Sequence, residues 1–161
     1  MKVIKNYLDK DYFNKLKSAF VEENAKLPFY LQHTVAYKAD EKNLKHFYFI
    51  HIFFDKSIQS NHYTLLEPLL EKIGIKSLIR VKLNLYPRTD TILHHYPHKD
   101  ADFKHHALIL SLNTCDGGTR IGEKFIPSIE NQAFFFDPSI PHNSTTCTNQ
   151  QARINLNINY F

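Results

Sequence analysis

Two stretches of the chain alternate between aliphatic and polar residues, and this pattern restricts the fold more than any other feature. Segment 78–86 has aliphatic residues at Ile79, Val81, Leu83 and Leu85, with polar residues at Arg80, Lys82, Asn84 and Tyr86. Segment 152–160 has Ile154, Leu156 and Ile158 alternating with Arg153, Asn155, Asn157 and Asn159. Because successive side chains of a strand point to opposite faces, both segments are predicted to be strands with one polar face. Those polar faces could be exposed to solvent, or they could line a polar pocket inside a barrel or sandwich.

The rest of the chain predicts a mainly β protein with supporting N-terminal helices. The 161 residues, 43% of them hydrophobic, suit one domain spanning 1–161. A helix capped by Asp9 or Asp11 and a second helix ending at Ile73, with Gly74 as its stop, are expected. Further strands are predicted at Phe47–Phe54, Ala107–Leu112 and Ala133–Phe136. The glycines at 117, 118 and 122 predict one tight turn after Asp116.

Charge and cysteine content exclude several classes of protein. Lys and Arg number 20 against 16 Asp and Glu, a net charge of +4 that is too small to argue for nucleic-acid binding. Two cysteines, Cys115 and Cys147, rule out a four-cysteine zinc site; one disulfide is possible, but reduced thiols are favoured. With no signal peptide and no long apolar run, a cytoplasmic location is expected, in the host cytoplasm if the protein is of phage origin.

The ten histidines are the main chemical clue. In His98-Lys99-Asp100 an imidazole and a carboxylate two residues apart point the same way if the segment is extended. His142 follows in a segment that two prolines keep extended. Two histidines and one carboxylate are the ligands of non-haem Fe(II) oxygenases, which leave positions open for a cosubstrate and O₂. His94 and His95 are predicted to be pocket-rim groups more than ligands.

Arg153 lies eleven residues after His142, on the polar face of the last predicted strand. A guanidinium is a planar fork that matches a carboxylate, and it stays charged when partly buried. Arg153 is therefore a candidate anchor for an acidic ligand, although an ordinary surface arginine is the simpler interpretation of this residue alone.

The ordered set of motifs resembles the 2-oxoglutarate/Fe(II)-dependent dioxygenase superfamily over about residues 76–161. It is most similar to the small forms of phages and marine bacteria that are grouped with prolyl 4-hydroxylases. The motifs are Asn84-Leu85-Tyr86-Pro87, His98-Lys99-Asp100, Leu112-Asn113, Asp116-Gly117-Gly118-Thr119, Phe135-Phe136-Asp137, His142 and Arg153-Ile154-Asn155.

The resemblance implies a double-stranded β-helix, which is a jelly-roll or cupin-like fold, with 76–161 as the catalytic core and 1–75 as helical and strand support. His98, Asp100 and His142 would bind Fe(II) and act as the catalytic centre. Arg153 would hold the distal carboxylate of 2-oxoglutarate, with Tyr86 and Asn84 as further cosubstrate-binding residues. The implied activity uses O₂ to hydroxylate a C–H bond of a protein side chain or small metabolite, and it releases succinate and CO₂.

Three departures from known relatives narrow the substrate. Prolyl 4-hydroxylases usually have lysine where Arg153 stands. AlkB-type nucleic-acid demethylases end in Arg-x-Asn-x-Thr-x-Arg, but here Asn157 and Asn159 replace the threonine and the second arginine. Asp100 disfavours a halogenase, which leaves that position free for halide. Duplex DNA and membranes are not expected partners. The alternatives are an AlkB-type demethylase, a non-catalytic cupin-like metal- or ligand-binding module and a phage structural protein.

Overall fold

The protein is mainly β, with two short helices, in a computed structural model that describes residues 1–36 and 43–161. The helices are α1 (Lys10–Phe20) and α2 (Glu67–Ile73), and a 3₁₀ turn (Tyr63–Leu66) leads into α2. The strands are β1 (Lys2–Ile4), β2 (Tyr30–Gln32), β3 (Tyr48–Asp55), β4 (Ser57–Ile58), β5 (Leu78–Pro87), β6 (His106–Ser111), β7 (Gly118–Ile121), β8 (Lys124–Pro127), β9 (Ala133–Phe136), β10 (His142–Ser144) and β11 (Ala152–Tyr160).

The described strands form two antiparallel sheets. The larger sheet has the order β1-β9-β6-β11-β5-β3-β2, with β4 paired to β3 at its edge. The smaller sheet has the order β10-β7-β8. Side chains of both sheets meet across a pocket, since Arg153 of β11 donates a hydrogen bond of 2.8 Å to Thr119 of β7.

The two strands with alternating patterns are neighbours in the middle of the larger sheet. Their register places Arg153 opposite Tyr86, Asn155 opposite Asn84, Asn157 opposite Lys82 and Asn159 opposite Arg80. Directly opposite residues on one face lie within contact distance of each other. These eight residues, which we call the polar ladder, therefore form one continuous polar surface across β5 and β11.

The opposite, aliphatic face of the same two strands forms the main core with the helices. Val81, Leu83, Leu156 and Ile158 are fully buried and belong to one cluster with buried residues of α1, namely Phe13, Leu16 and Phe20. The carboxylate of Asp9 caps α1 by accepting a hydrogen bond of 2.9 Å from the Tyr12 amide. No helix in the described residues is long and apolar enough to cross a membrane.

The structure confirms the predicted mainly β class with N-terminal helices, including the stop at Gly74, whose φ is +74°. The tight turn predicted after Asp116 is wrong. Gly118 begins β7, and the hairpin turn lies at Gly122, whose φ is +57°. Gly117 is needed for close packing instead, because a Cβ there would lie 2.2 Å from the carbonyl oxygen of Thr146 and 3.1 Å from Cδ of Arg153.

The N-terminal part of the chain is more closely integrated than the predicted support segment suggested. Strand β3 pairs with β5 in the larger sheet, and Tyr48 of β3 lines the same pocket as the polar ladder.

Both cysteines are buried and carry free thiols.

The central packing gives a direct stability test. Leu156→Ala removes a fully buried side chain and should lower the free energy of unfolding by about 2–5 kcal/mol. Leu44→Ala is the matched control, because Leu44 is 92% exposed. This substitution should change the free energy of unfolding by less than about 0.5 kcal/mol. Urea unfolding measures both variants. Equal losses in the two would contradict the placement of β11 in the core.

Candidate metal centre and adjoining pocket

His98, Asp100 and His142 come together at one end of the polar ladder. One ligand atom from each residue can be chosen so that all three lie within 4.8 Å of one another. The two imidazole centroids are 4.6 Å apart, and Nε2 of His98 is 3.8 Å from Oδ1 of Asp100. The structure thus brings together the three residues that the sequence singled out as a ligand set.

Backbone hydrogen bonds position all three residues. The amide of His98 donates to the carbonyl of His142, and the amide of His142 donates to the carbonyl of His98, both at 2.9 Å. The amide of Asp100 donates to the carbonyl of Pro138 at 3.0 Å. Two segments that are far apart in sequence are therefore fixed side by side before any ligand binds.

The orientation and ionisation of these groups suit metal binding. Nδ1 of His142 donates to the carbonyl of Ile140 at 3.0 Å, which leaves Nε2 as the free donor atom. Burial, together with the neighbouring His142, lowers the pKa of His98 to about 4, so its ring is neutral at pH 7. Burial opposes ionisation of Asp100, but Lys82 and Arg80 outweigh it and lower its pKa to about 2.

Asp100 is also held by the polar ladder. The side chain of Asn159 donates to its Oδ2 at 2.9 Å, and Nη2 of Arg80 lies 3.4 Å from its Oδ1. Hydrogen bonds from outside the ligand set fix the direction of a ligating carboxylate, and their loss typically lowers metal affinity about 10- to 100-fold.

Arg153 lies at the other end of the polar ladder and is the most deeply buried charged group of the pocket, with 1% of its surface exposed. Nη1 donates to the carbonyl of Thr145 at 3.1 Å, and Nη2 donates to Oγ1 of Thr119 at 2.8 Å. Nε has no hydrogen-bond partner in the described part of the chain. Both acceptors are neutral, and no carboxylate among residues 1–36 and 43–161 pairs with the guanidinium.

Tyr86 and Asn84 line the same pocket next to Arg153. The guanidinium carbon of Arg153 lies 5.2 Å from the centroid of the Tyr86 ring, within reach of a cation–π contact. Asn84 donates to Oδ1 of Asn155 at 3.1 Å, but its own Oδ1 has no partner among the described residues. Burial raises the pKa of Tyr86, so its hydroxyl remains a neutral hydrogen-bond donor.

Sequence reasoning missed Lys82 and Tyr48, which also line the pocket. The ammonium of Lys82 lies 5.7 Å from the centroid of the Tyr48 ring. Burial and the neighbouring Arg80 lower the pKa of Lys82 to about 8, so it is mostly protonated at pH 7. The alternating pattern did put Lys82 on a polar face, and a search of that face for charged groups would have found it.

The histidines outside the cluster differ in burial. His95 is buried, with its ring 5.5 Å from that of Tyr86, so it lies behind the pocket wall, whereas His94 is exposed. His51 is held between the carbonyl of Pro28 and Oγ of Ser60, both at 2.8 Å. His51 and Ser60 border a groove of about 680 Å³, which is far larger than the pocket but contains none of the three clustered ligand candidates.

The fold is that of known 2-oxoglutarate-dependent oxygenases. A 2OG-Fe(II) oxygenase family oxidoreductase from Burkholderia pseudomallei superposes with a TM-score of 0.68 at 12% identity, covering 98% of this chain and 83% of that one. The viral collagen prolyl hydroxylase of Paramecium bursaria Chlorella virus-1, solved with 2-oxoglutarate, gives 0.61 at 15% identity, with 98% and 93% covered. A Pseudomonas putida prolyl-4-hydroxylase gives 0.61 at 12% identity, with 99% and 91% covered.

No protein-family model and no curated protein matches the chain. At 15% identity or less, the structural likeness establishes the fold and leaves the activity to be argued from the site.

The clustered ligand set predicts stoichiometric metal binding. The protein should bind one equivalent of Mn(II) in calorimetric titration under anaerobic conditions. His142→Ala should weaken Mn(II) binding at least about 100-fold, because the loss of a metal ligand lowers the affinity more than the loss of a residue that hydrogen-bonds to a ligand. His106→Ala is the matched control, since His106 is exposed at the start of β6. Unchanged affinity in His142→Ala would show that the three residues do not act as one metal site.

Proposed function

We propose that the protein is an Fe(II)- and 2-oxoglutarate-dependent dioxygenase that hydroxylates a C–H bond of its substrate. One observation carries the proposal: Arg153, a buried cation without a carboxylate partner in the described chain, faces the same pocket as two histidines and an aspartate whose donor atoms cluster. In this proposal residues 1–161 form a single domain, and its two sheets are the halves of a double-stranded β-helix.

The three clustered side chains fit Fe(II). Two neutral imidazoles and one ionised carboxylate on one side of the ion are the donor set of non-haem iron oxygenases. When bound there, the iron supplies the oxidation chemistry that couples O₂ and 2-oxoglutarate to hydroxylation, with succinate and CO₂ as the other products. Asn159 and Arg80 orient Asp100, and the carbonyl of Ile140 orients His142.

The other end of the pocket fits a dicarboxylate. A buried charge without a partner is unfavourable by several kcal/mol, on the order of the cost of desolvating one ion in a protein. Arg153 can recover that free energy by pairing with the distal carboxylate of 2-oxoglutarate, while its two existing hydrogen bonds hold the guanidinium in place. The unpaired oxygen of Asn84 and the Tyr86 hydroxyl offer further polar contacts.

The pocket is tight around these groups. Its volume of about 30 Å³ suffices for a water molecule, and polar side chains make up most of its lining. The aromatic rings of Tyr86 and Tyr48, stacked at 5.3 Å, form a wall that keeps bulk water away from the reacting groups.

The role of Arg153 is tested by two substitutions. Arg153→Ala should raise the 2-oxoglutarate concentration needed for half-maximal succinate formation at least tenfold and leave Mn(II) affinity nearly unchanged. Arg153→Lys should retain part of the activity, because lysine keeps the charge but loses the planar fork. Succinate can be quantified by mass spectrometry.

The matched control is Arg88→Ala, since Arg88 is exposed and directly follows β5. An Arg153→Ala protein with a normal requirement for 2-oxoglutarate would refute the assignment. Equal losses in Arg88→Ala and Arg153→Ala would show a general effect on the fold.

A further inference from the structure

Lys82 is the charged group of the pocket that the proposed chemistry does not use. It lies opposite Asn157 on the polar ladder, between Asn84 and Arg80 along β5. Arg153 lies opposite Tyr86, four residues further along β5 and so roughly 13 Å away along the strand. Both side chains line the same pocket, and the charge of Lys82 acts on His98 and Asp100.

Lys82 is not required to hold Asp100. The carboxylate already accepts a hydrogen bond from Asn159 and forms an ion pair with Arg80. The Lys82 ammonium lies over the face of the Tyr48 ring, which carries no formal charge. The charge of Lys82 does act on Asp100, but no hydrogen bond or ion pair joins the two side chains among the described residues.

The balance of charge favours an anion near Lys82. Among residues 1–36 and 43–161, Asp100 is the one carboxylate that lines the pocket, whereas two cations, Lys82 and Arg153, line it. A third cation, Arg80, forms an ion pair with Asp100. With the proposed Fe(II) and 2-oxoglutarate bound, positive groups still outnumber negative ones. One carboxylate of the cosubstrate is assigned to Arg153 and the other to the iron, so neither remains for Lys82.

Resting on the proposed function, we infer that the substrate carries a carboxylate and that Lys82 is the residue that recognises it. An ammonium is a point charge with three donors on a flexible stem, suited to a single carboxylate that has to be placed close to the iron. The same chemistry could come from a free acid or from the side chain of an acidic residue in a protein, and the experiment separates the two.

The experiment measures binding rather than turnover. Zn(II) replaces iron, because nitrogen and oxygen sites accept several divalent metals and zinc has no redox chemistry. The zinc protein, saturated with 2-oxoglutarate, is titrated with acid and amide pairs and followed by ligand-observed NMR. The free pair is L-glutamate and L-glutamine; the peptide pair is acetyl-Gly-Glu-Gly-amide and acetyl-Gly-Gln-Gly-amide.

We expect an acid to bind at least tenfold more tightly than its amide, and Lys82→Met to remove that preference. Preference within the free pair assigns a small-molecule acid, and preference within the peptide pair assigns an acidic side chain. Lys82→Arg should keep the preference, because it keeps the charge. The control is Lys15→Met. Lys15 lies on the exposed side of α1, and the buried face of that helix packs against the aliphatic side of the sheet.

Three results would overturn the inference. One is the absence of a preference for acid over amide in both pairs. Another is a preference that survives Lys82→Met in a protein whose melting temperature is unchanged. The third is a tenfold loss of 2-oxoglutarate affinity in Lys82→Met, which would assign Lys82 to the cosubstrate. Failure of the zinc-loaded wild-type protein to bind 2-oxoglutarate would count against the proposed function instead.

Discussion

The buried guanidinium of Arg153 is the constraint on which the rest of the site depends. The guanidinium donates hydrogen bonds to two neutral oxygens, the carbonyl of Thr145 and Oγ1 of Thr119. Thr119 lies in the smaller sheet, and Thr145 directly follows one of its strands. These hydrogen bonds tie β11 of the larger sheet to β7 of the smaller one while leaving the charge unpaired within the described chain. Gly117 permits this packing, because any Cβ there would collide with the backbone next to the Arg153 stem. The fold thus holds a cation ready for an anion that the described residues do not supply.

The same two strands serve stability on one face and chemistry on the other. Leu83 and Leu156 close the core beneath the helices, while Asn84 and Arg153 point into the pocket. A substitution that shifted the register by one residue would exchange the two faces, exposing the aliphatic side chains and burying the polar ones against α1. Burial of the aliphatic face therefore strongly favours one register of β5 and β11. That register also fixes the positions of the residues in the polar ladder.

Much of this could be predicted from the sequence, since a period of two specifies both the strands and their polar faces. The pattern could not show that β5 and β11 are neighbours, because pairing depends on contacts between segments about seventy residues apart. The clustering of His98 with His142 is of the same kind: it rests on two reciprocal backbone hydrogen bonds, which side-chain identity does not encode. The glycines at 117 and 118 predict a turn from the sequence, because glycine is used both in turns and where backbones pack closely. The sequence does not distinguish Lys82 from a surface lysine, because a lysine on a polar face ordinarily points to solvent.

The central claim is that one dicarboxylate joins the two ends of the pocket, with Arg153 at one end and the metal ligands at the other. A crystal structure of the protein grown anaerobically with Mn(II) and 2-oxoglutarate tests it most directly. We predict one metal ion bound by His98, Asp100 and His142, and one 2-oxoglutarate whose distal carboxylate pairs with the guanidinium of Arg153. A metal bound elsewhere, or a 2-oxoglutarate that leaves Arg153 unpaired, would contradict the account.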